Sequence, residues 1–172
     1  AVVLDSKKTV LGAIFEQEIN LHKGVGATIA IDKEPHPAYN AGGKDALING
    51  ISGNNKRYGD REWLGFSGED IEITIEFNKP TNINSIATRF FNGNGQWIYP
   101  PKKVTVYINN DIRTYVADVS STNDLTAKFA VKFESTTVTS IRLKIPSYGI
   151  IPEGKQGAGH KPWTFIDEII IK

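Results

Sequence analysis

The chain of 172 residues has no cysteine and no methionine. Without cysteine there is no disulfide framework, thiol nucleophile or thiolate zinc site, and redox chemistry says nothing about compartment. Neither sign of charge is in surplus: 20 Lys and Arg against 19 Asp and Glu leave a formal charge of +1. A nucleic-acid backbone demands a basic excess, so that class of partner is excluded. No segment approaches the ~20 consecutive apolar residues of a membrane-spanning helix. The three histidines, His22, His36 and His160, are far apart in sequence, with none of the close spacings that zinc ligands adopt. The Gly-x-Ser-x-Gly elbow is missing. Gly24-Val25-Gly26 and Gly93-Asn94-Gly95 lack the Lys-Ser/Thr ending of a phosphate loop, and no dinucleotide fingerprint follows a strand. Nucleotide hydrolysis and hydride transfer therefore find no support. The first residue is Ala1, with neither an initiator methionine nor a signal-peptide pattern, which leads to the expectation of a processed product or a piece of a longer protein.

What is present points to strands. There are 22 Ile, 10 Val and 13 Thr against 7 Leu and 12 Ala, an imbalance that suits pleated, half-buried surfaces better than helices. Apolar and polar residues alternate through Ile71 to Phe77, Val104 to Ile108, Phe129 to Phe133 and Ile141 to Ile145, which predicts short strands with one face on a core. Ala27 to Ile31 reads as another. Turn formers separate them: Asn78-Lys79-Pro80, Gly93-Asn94-Gly95, Tyr99-Pro100-Pro101, Asn109-Asn110-Asp111 and the stretch from Pro146 to Pro162. One all-β sandwich domain is expected over 25–172. Residues 1–24 read as a linker or N-terminal extension, with a short turn predicted from Phe15 to Leu21.

Two adjacent acid pairs, Glu69-Asp70 and Asp167-Glu168, invite a glycosidase reading, since such enzymes set two carboxylates across one bond. Neighbours on a strand point to opposite faces, so neither pair converges on one oxygen, and a structural role is expected. Glu168 stands apart. Its face-mates Ile166 and Ile170 draw it toward the core, where a carboxylate requires a cation: an Arg or Lys, or a hard metal such as calcium. Aromatic residues form the other signal. Trp63, Trp97 and Trp163, with Tyr58, Tyr99 and Tyr148, fall among turn formers and charged residues at strand ends. Sugars offer C–H faces to such rings, and their hydroxyls need groups such as Arg, Asp, Asn and His. Tyr58-Gly59-Asp60-Arg61-Glu62-Trp63 and Gly159-His160-Lys161-Pro162-Trp163 supply that mixture. Trp63 and Trp163 equally suit the ends of a sandwich core, whereas Trp97 looks like a platform at a loop tip.

Four blocks in order carry a family resemblance: Tyr39 to Gly50, Trp63 to Asp70, Gly95 to Val104 and Lys161 to Ile169. They resemble the discoidin, or coagulation factor 5/8 type C, family, and more narrowly the module that follows the catalytic barrel of bacterial family 20 glycoside hydrolases, the β-hexosaminidases. The resemblance implies a galactose-binding-domain-like jelly roll of about eight main strands, non-catalytic, whose loops at one end bind glycans of galactose or N-acetylated hexosamine type, as family 32 carbohydrate-binding modules do. It also implies one structural calcium ion, held here by Asn49, the Ala46 carbonyl and Glu168, with Asn49 standing where relatives carry an acid. The expected setting is extracellular, on the cell surface or in the periplasm of a bacterium, beside an upstream catalytic domain.

Three roles follow. The first is a carbohydrate-binding module ancillary to a hydrolase of hexosamine-containing glycans, with Trp97, Tyr99, Trp63 and Trp163 as rings and Arg61, Asp60 and His160 as hydroxyl partners. The second is a structural module that packs on a catalytic barrel and binds no sugar. The third is a free-standing adhesion or protein-recognition domain.

Overall fold

The computed structural model describes residues 3–12, 17–40, 42–110, 113–120 and 124–172. Strand β1 (Val3–Leu4) pairs with β2 (Val10–Leu11) in a small separate hairpin. The rest of the β structure is one eight-stranded sheet: β3 (Thr28–Ile31), β4 (Leu64–Ser67), β5 (Ile71–Phe91), β6 (Lys103–Ile108), β7 (Arg113–Asp118), β8 (Thr126–Ile145), β9 (Trp163–Ile166) and β10 (Ile170–Ile171). The path runs β4-β9-β5-β8-β6-β7, with β3 and β10 also on β5, and every pairing between these strands is antiparallel.

β5 and β8 are 21 and 20 residues long, and they make one sheet into two layers. Their register breaks between Glu76 and Thr81 and again between Ile83 and Ser85. Asn78-Lys79-Pro80, predicted as a turn between strands, is the first break, where a proline that cannot donate to the ladder is tolerated. Beyond the break the pair continues. Ile71, Ile73 and Ile75 on one side and Ile83, Ile86 and Phe90 on the other enter the same buried cluster, along with Val106, Phe129, Leu143 and Ile166. The sheet thus curls over its own core as a β-sandwich, and the expected strands at 71–77 and 129–133 are segments of two long bent ones.

The bend also places the functional end. With β5 and β8 folded at residues 76–85, the Ile71/Ile145 end and the Phe91/Thr126 end of the pair come to the same rim. Loops 92–102 and 146–162 emerge there. A second cluster seals that rim: buried Trp63, Phe91, Ile98 and Phe165, packed by Tyr39, Tyr58 and Trp163. Edge-to-face contacts dominate it, such as Trp63 on Phe91 at 5.4 Å and Tyr39 on Phe165 at 4.9 Å, the arrangement ring quadrupoles favour.

Residues 20–24, expected outside the domain, are bonded into it. The Asn20 amide donates to the Gly50 carbonyl, the Lys23 amide to Ile171, and the Lys23 ammonium to the carbonyl of Asn82. Gln17 to Leu21 have no regular structure, and Phe15 of the expected turn, like Ala41 and Asp111, lies outside the described residues.

Candidate functional site

Trp97 sits at the tip of loop 92–102, where Asn94–Gln96 form a single helical turn. Its own backbone closes that turn in the left-handed region, φ 59°, with its amide donating to the Asn94 carbonyl. A large residue in that region carries a conformational cost that a local requirement must justify. The effect is to turn the indole outward, and Trp97 is 38% exposed beneath a stacked His160 ring 4.7 Å away. Gly157 completes the seat: a Cβ there would come within 2.8 Å of the indole Cγ and Cδ1. Loops 92–102 and 146–162 are further tied by the Trp163 amide to the Trp97 carbonyl at 2.8 Å and the Tyr99 amide to the Trp163 carbonyl at 3.0 Å. Of the seven residues expected to contact sugar, Trp97 and His160 are thus adjacent.

Tyr99 is 3% exposed, so it braces rather than presents. Its hydroxyl donates to the Gln156 carbonyl at 2.8 Å, and burial, then the neighbouring Tyr148, push its phenol above the ordinary value. Its ring forms part of the floor of a cleft of about 330 Å³, lined by Asn92, Asn94, Pro100, Pro101, Lys102, Val119, Tyr148 and Lys155. Tyr148 lies 5.2 Å from Tyr99, and the Lys102 ammonium is 4.8 Å from the Tyr148 ring. Lys155 and the asparagines carried no site expectation from sequence. Their only signal was composition, because the cleft joins segments some fifty residues apart in the chain.

The other expected sugar contacts sit elsewhere. Trp63 is fully buried, its Nε1 donating to the Asn54 carbonyl at 3.0 Å, and Gly53 approaches so closely that a Cβ would meet the indole nitrogen at 2.4 Å. It is a core residue with no face for a ligand. Trp163 is half-buried between His36 and Tyr39, whose rings meet it edge-on, and it serves the same seal. Asp60 spends both oxygens on its own loop, accepting from the Glu62 and Asn54 amides. Exposed Arg61 approaches only Glu62, at 3.5 Å. Among the described residues, no hydrogen bond or ring contact links Asp60 or Arg61 to the Trp97–His160 pair.

The acids of Asp167-Glu168 follow the end of β9, where alternation stops, and both are buried. Asp167 is paired with the Arg89 guanidinium, accepts from the Gly53 amide at 2.9 Å, and is pushed up to about 6 by burial, against the pull of Arg89 and Gly53. Arg89 also donates to the Gly53 carbonyl and Asn55, fastening the 53–55 loop. Glu168 takes a different partner. Nδ1 of His22 accepts from the Gly24 and Ile171 amides, so Nε2 carries the proton and donates to Glu168 Oε1 at 2.5 Å, joined there by the Gly50 amide. The acids of Glu69-Asp70 are exposed, and Asp70 accepts from the Ser147 amide.

These contacts decide the fit of a calcium ion, which takes six to eight oxygens. Glu168 Oε1 already faces two N–H donors, and the Asn49 side chain accepts from Ile51 and donates to Glu62. The Leu47 and Gly50 carbonyls face the Ile169 and Asn20 amides. Glu168 Oε2 is buried without a partner, but among the described residues no three His, Asp or Glu side chains converge. Of the residues expected to bind calcium, Asn49 and Glu168 are engaged by protein groups instead, with the His22 imidazole against the Glu168 carboxylate.

Known proteins now locate this architecture. The F5/8 type C domain profile matches residues 31–169. The chain belongs to the F5/8 type C family. As for solved structures, this F5/8 type C domain is similar to the lectin domain of lectinolysin complexed with Lewis B antigen, at 12% identity over 90% of this chain and 98% of that one, TM-score 0.56. It is similar to chitosan-binding module 1 of a chitosanase/glucanase from Paenibacillus sp. IK-5, at 9% identity over 89% and 99%, TM-score 0.53. SpGH29 matches at 10% identity over 88% of this chain and 27% of its own length, TM-score 0.51. At such identities the likeness speaks to the jelly-roll fold. Curated protein sequences give no match. No helix among the described residues is long and apolar enough to cross a membrane.

Proposed function

We propose that the chain is a non-catalytic carbohydrate-binding module whose ligand meets the rim formed by loops 92–102 and 146–162. The observation that carries this reading is Trp97: an indole held outward by a left-handed backbone, seated on Gly157 and stacked with His160, next to a cleft with polar and aromatic walls. A ring pair fixed before binding loses little entropy when a sugar packs against the exposed part of the indole. One exposed ring with a few hydrated hydrogen bonds implies affinities of about mM to high μM, useful when the module is tethered to an enzyme. The lectinolysin and chitosan-binding neighbours, whose names state glycan binding, support the reading at the level of fold. Within it we place the module in a bacterial extracellular, cell-surface or periplasmic protein, ancillary to a hydrolase of hexosamine-containing glycans.

The test is affinity electrophoresis and a glycan array on the chain as it stands. Retention by at least one glycan is expected, and Trp97→Ala should abolish it with an unchanged melting curve. A blank array overturns the reading, and a variant that unfolds returns Trp97 to the core.

One observation favours a packing role as well. Val3, Leu4, Val10, Leu11, Ile19 and Leu21 are all exposed in the N-terminal segment. Such a concentration of apolar surface suits contact with a neighbouring domain.

A further inference from the structure

We propose that the cleft beside Trp97 selects a saccharide unit carrying an anionic group, a carboxylate or a sulfate; this rests on the carbohydrate reading above and narrows it. The lining decides the class. Lys102 and Lys155 supply two positive charges, while Asn92, Asn94, Tyr99, Pro100, Pro101, Val119 and Tyr148 supply none of either sign. Asp, Glu, Arg and His, the groups that grip pairs of neutral hydroxyls, are missing from these walls. The nearest acids in sequence, Asp118, Asp124 and Glu153, do not line the cleft.

Neither lysine is spent elsewhere on an acid. The ion pairs among the described residues use Arg61, Arg89 and Arg142. Lys102 is held at the cleft by its contact with the Tyr148 ring, 4.8 Å away, and that ring is itself packed 5.2 Å from buried Tyr99. The positive end of the cleft is therefore positioned by the core. The chain as a whole has a formal charge of only +1, so this concentration is local. Apolar walls from the two prolines and Val119 concentrate the field of both ammonium groups toward the opening. An ammonium is a point charge that meets an anion from several directions, which suits a carboxylate or sulfate on a sugar ring.

The experiment uses the full chain in isothermal titration with three ligands: an oligosaccharide of uronic acid units, the same oligosaccharide with its carboxyl groups reduced to alcohols, and an O-sulfated neutral oligosaccharide. At low ionic strength at least one anionic ligand should bind about tenfold tighter than the reduced one, and the gap should close as NaCl rises toward about 0.5 M. The arm that shows the gap tells carboxylate from sulfate. Lys102→Met combined with Lys155→Met keeps the apolar stems and should bring the ratio of affinities to about one, with circular dichroism confirming the fold. Equal binding of the anionic and reduced ligands, or a preference that survives the double substitution, overturns the acidic-sugar inference and leaves carbohydrate binding standing. No binding by any of the three, together with a blank glycan array, overturns both.

Discussion

At the scale of single residues, the largest energetic commitments lie under the rim. Arg89 neutralises buried Asp167, fastens residues 53–55 and places its guanidinium 5.5 Å from the Trp63 ring. Arg89→Met strands a buried carboxylate and should cost about 3–5 kcal/mol, measured by urea unfolding near neutral pH; a loss under about 1 kcal/mol would mean that Asp167 is satisfied by Gly53 and water. Asp167 also sets a pH dependence. Its folded value of about 6 lies above the ordinary carboxyl value of 3.8, so between those limits the folded chain binds a proton that the unfolded chain has released. Its contribution is therefore greatest below about pH 4 and declines as pH rises through 6, by on the order of 2–3 kcal/mol. Unfolding of the wild type and Asp167→Asn from pH 4 to 7 should show this as a shrinking advantage for the wild type, and parallel profiles would contradict it.

Elements matter because two loops from different parts of the chain make one site. Gly157 is at φ 83° against Trp97, so Gly157→Ala meets both backbone strain and a 2.8 Å contact. That variant should displace the indole and weaken glycan retention several-fold while lowering stability by only about 1 kcal/mol, since the change lies in a surface loop. Equal retention by variant and wild type would mean that the seat is not needed. The strands themselves were partly readable: period-2 alternation marked β6, the first half of β5 and both halves of β8, and Ala27 to Ile31 read as β3, whereas the second half of β5 carried no strand expectation. That Asn78-Lys79-Pro80 is a break inside β5 and not its end was not readable, because turn formers signal a departure from regular pairing in either case. Alternation likewise predicted opposite faces for Asp167 and Glu168, and it stopped applying where β9 ends at Ile166.

For the whole molecule, the domain begins earlier than composition suggested. His22 is enclosed and donates to buried Glu168, and Asn20 and Lys23 bond to the strand-end loops. Truncation before Asn20 should leave the melting temperature within a few degrees. Truncation through Gly24 removes the imidazole, leaves Glu168 to the Gly50 amide, and should cost about 1–3 kcal/mol, the range for depriving a buried acceptor of its donor. Chelator should leave the melting curve of the intact chain unchanged, since an ion stabilises only by binding the native state. A lower melting temperature in chelator would restore calcium to this site.

The alternating strand segments, the all-β class and the exposed character of Trp97 are properties of local sequence. Alternating Ile and Val dictate which face of a strand is buried, and an indole that follows Gly, Asn, Gly and Gln sits where turn formers carry the chain to the surface. What the tertiary structure alone decided is which distant groups meet. Trp63 entered the core because Gly53 and Arg89 close over it. Glu168 found His22 across 146 positions of chain. Lys102, Tyr148 and Lys155 became one cleft only after β5 and β8 bent over a common core. Periodicity reports the environment of a residue along its own strand, whereas a partner across the sandwich is chosen by how the sheet curls, and that depends on the packing of all its strands together.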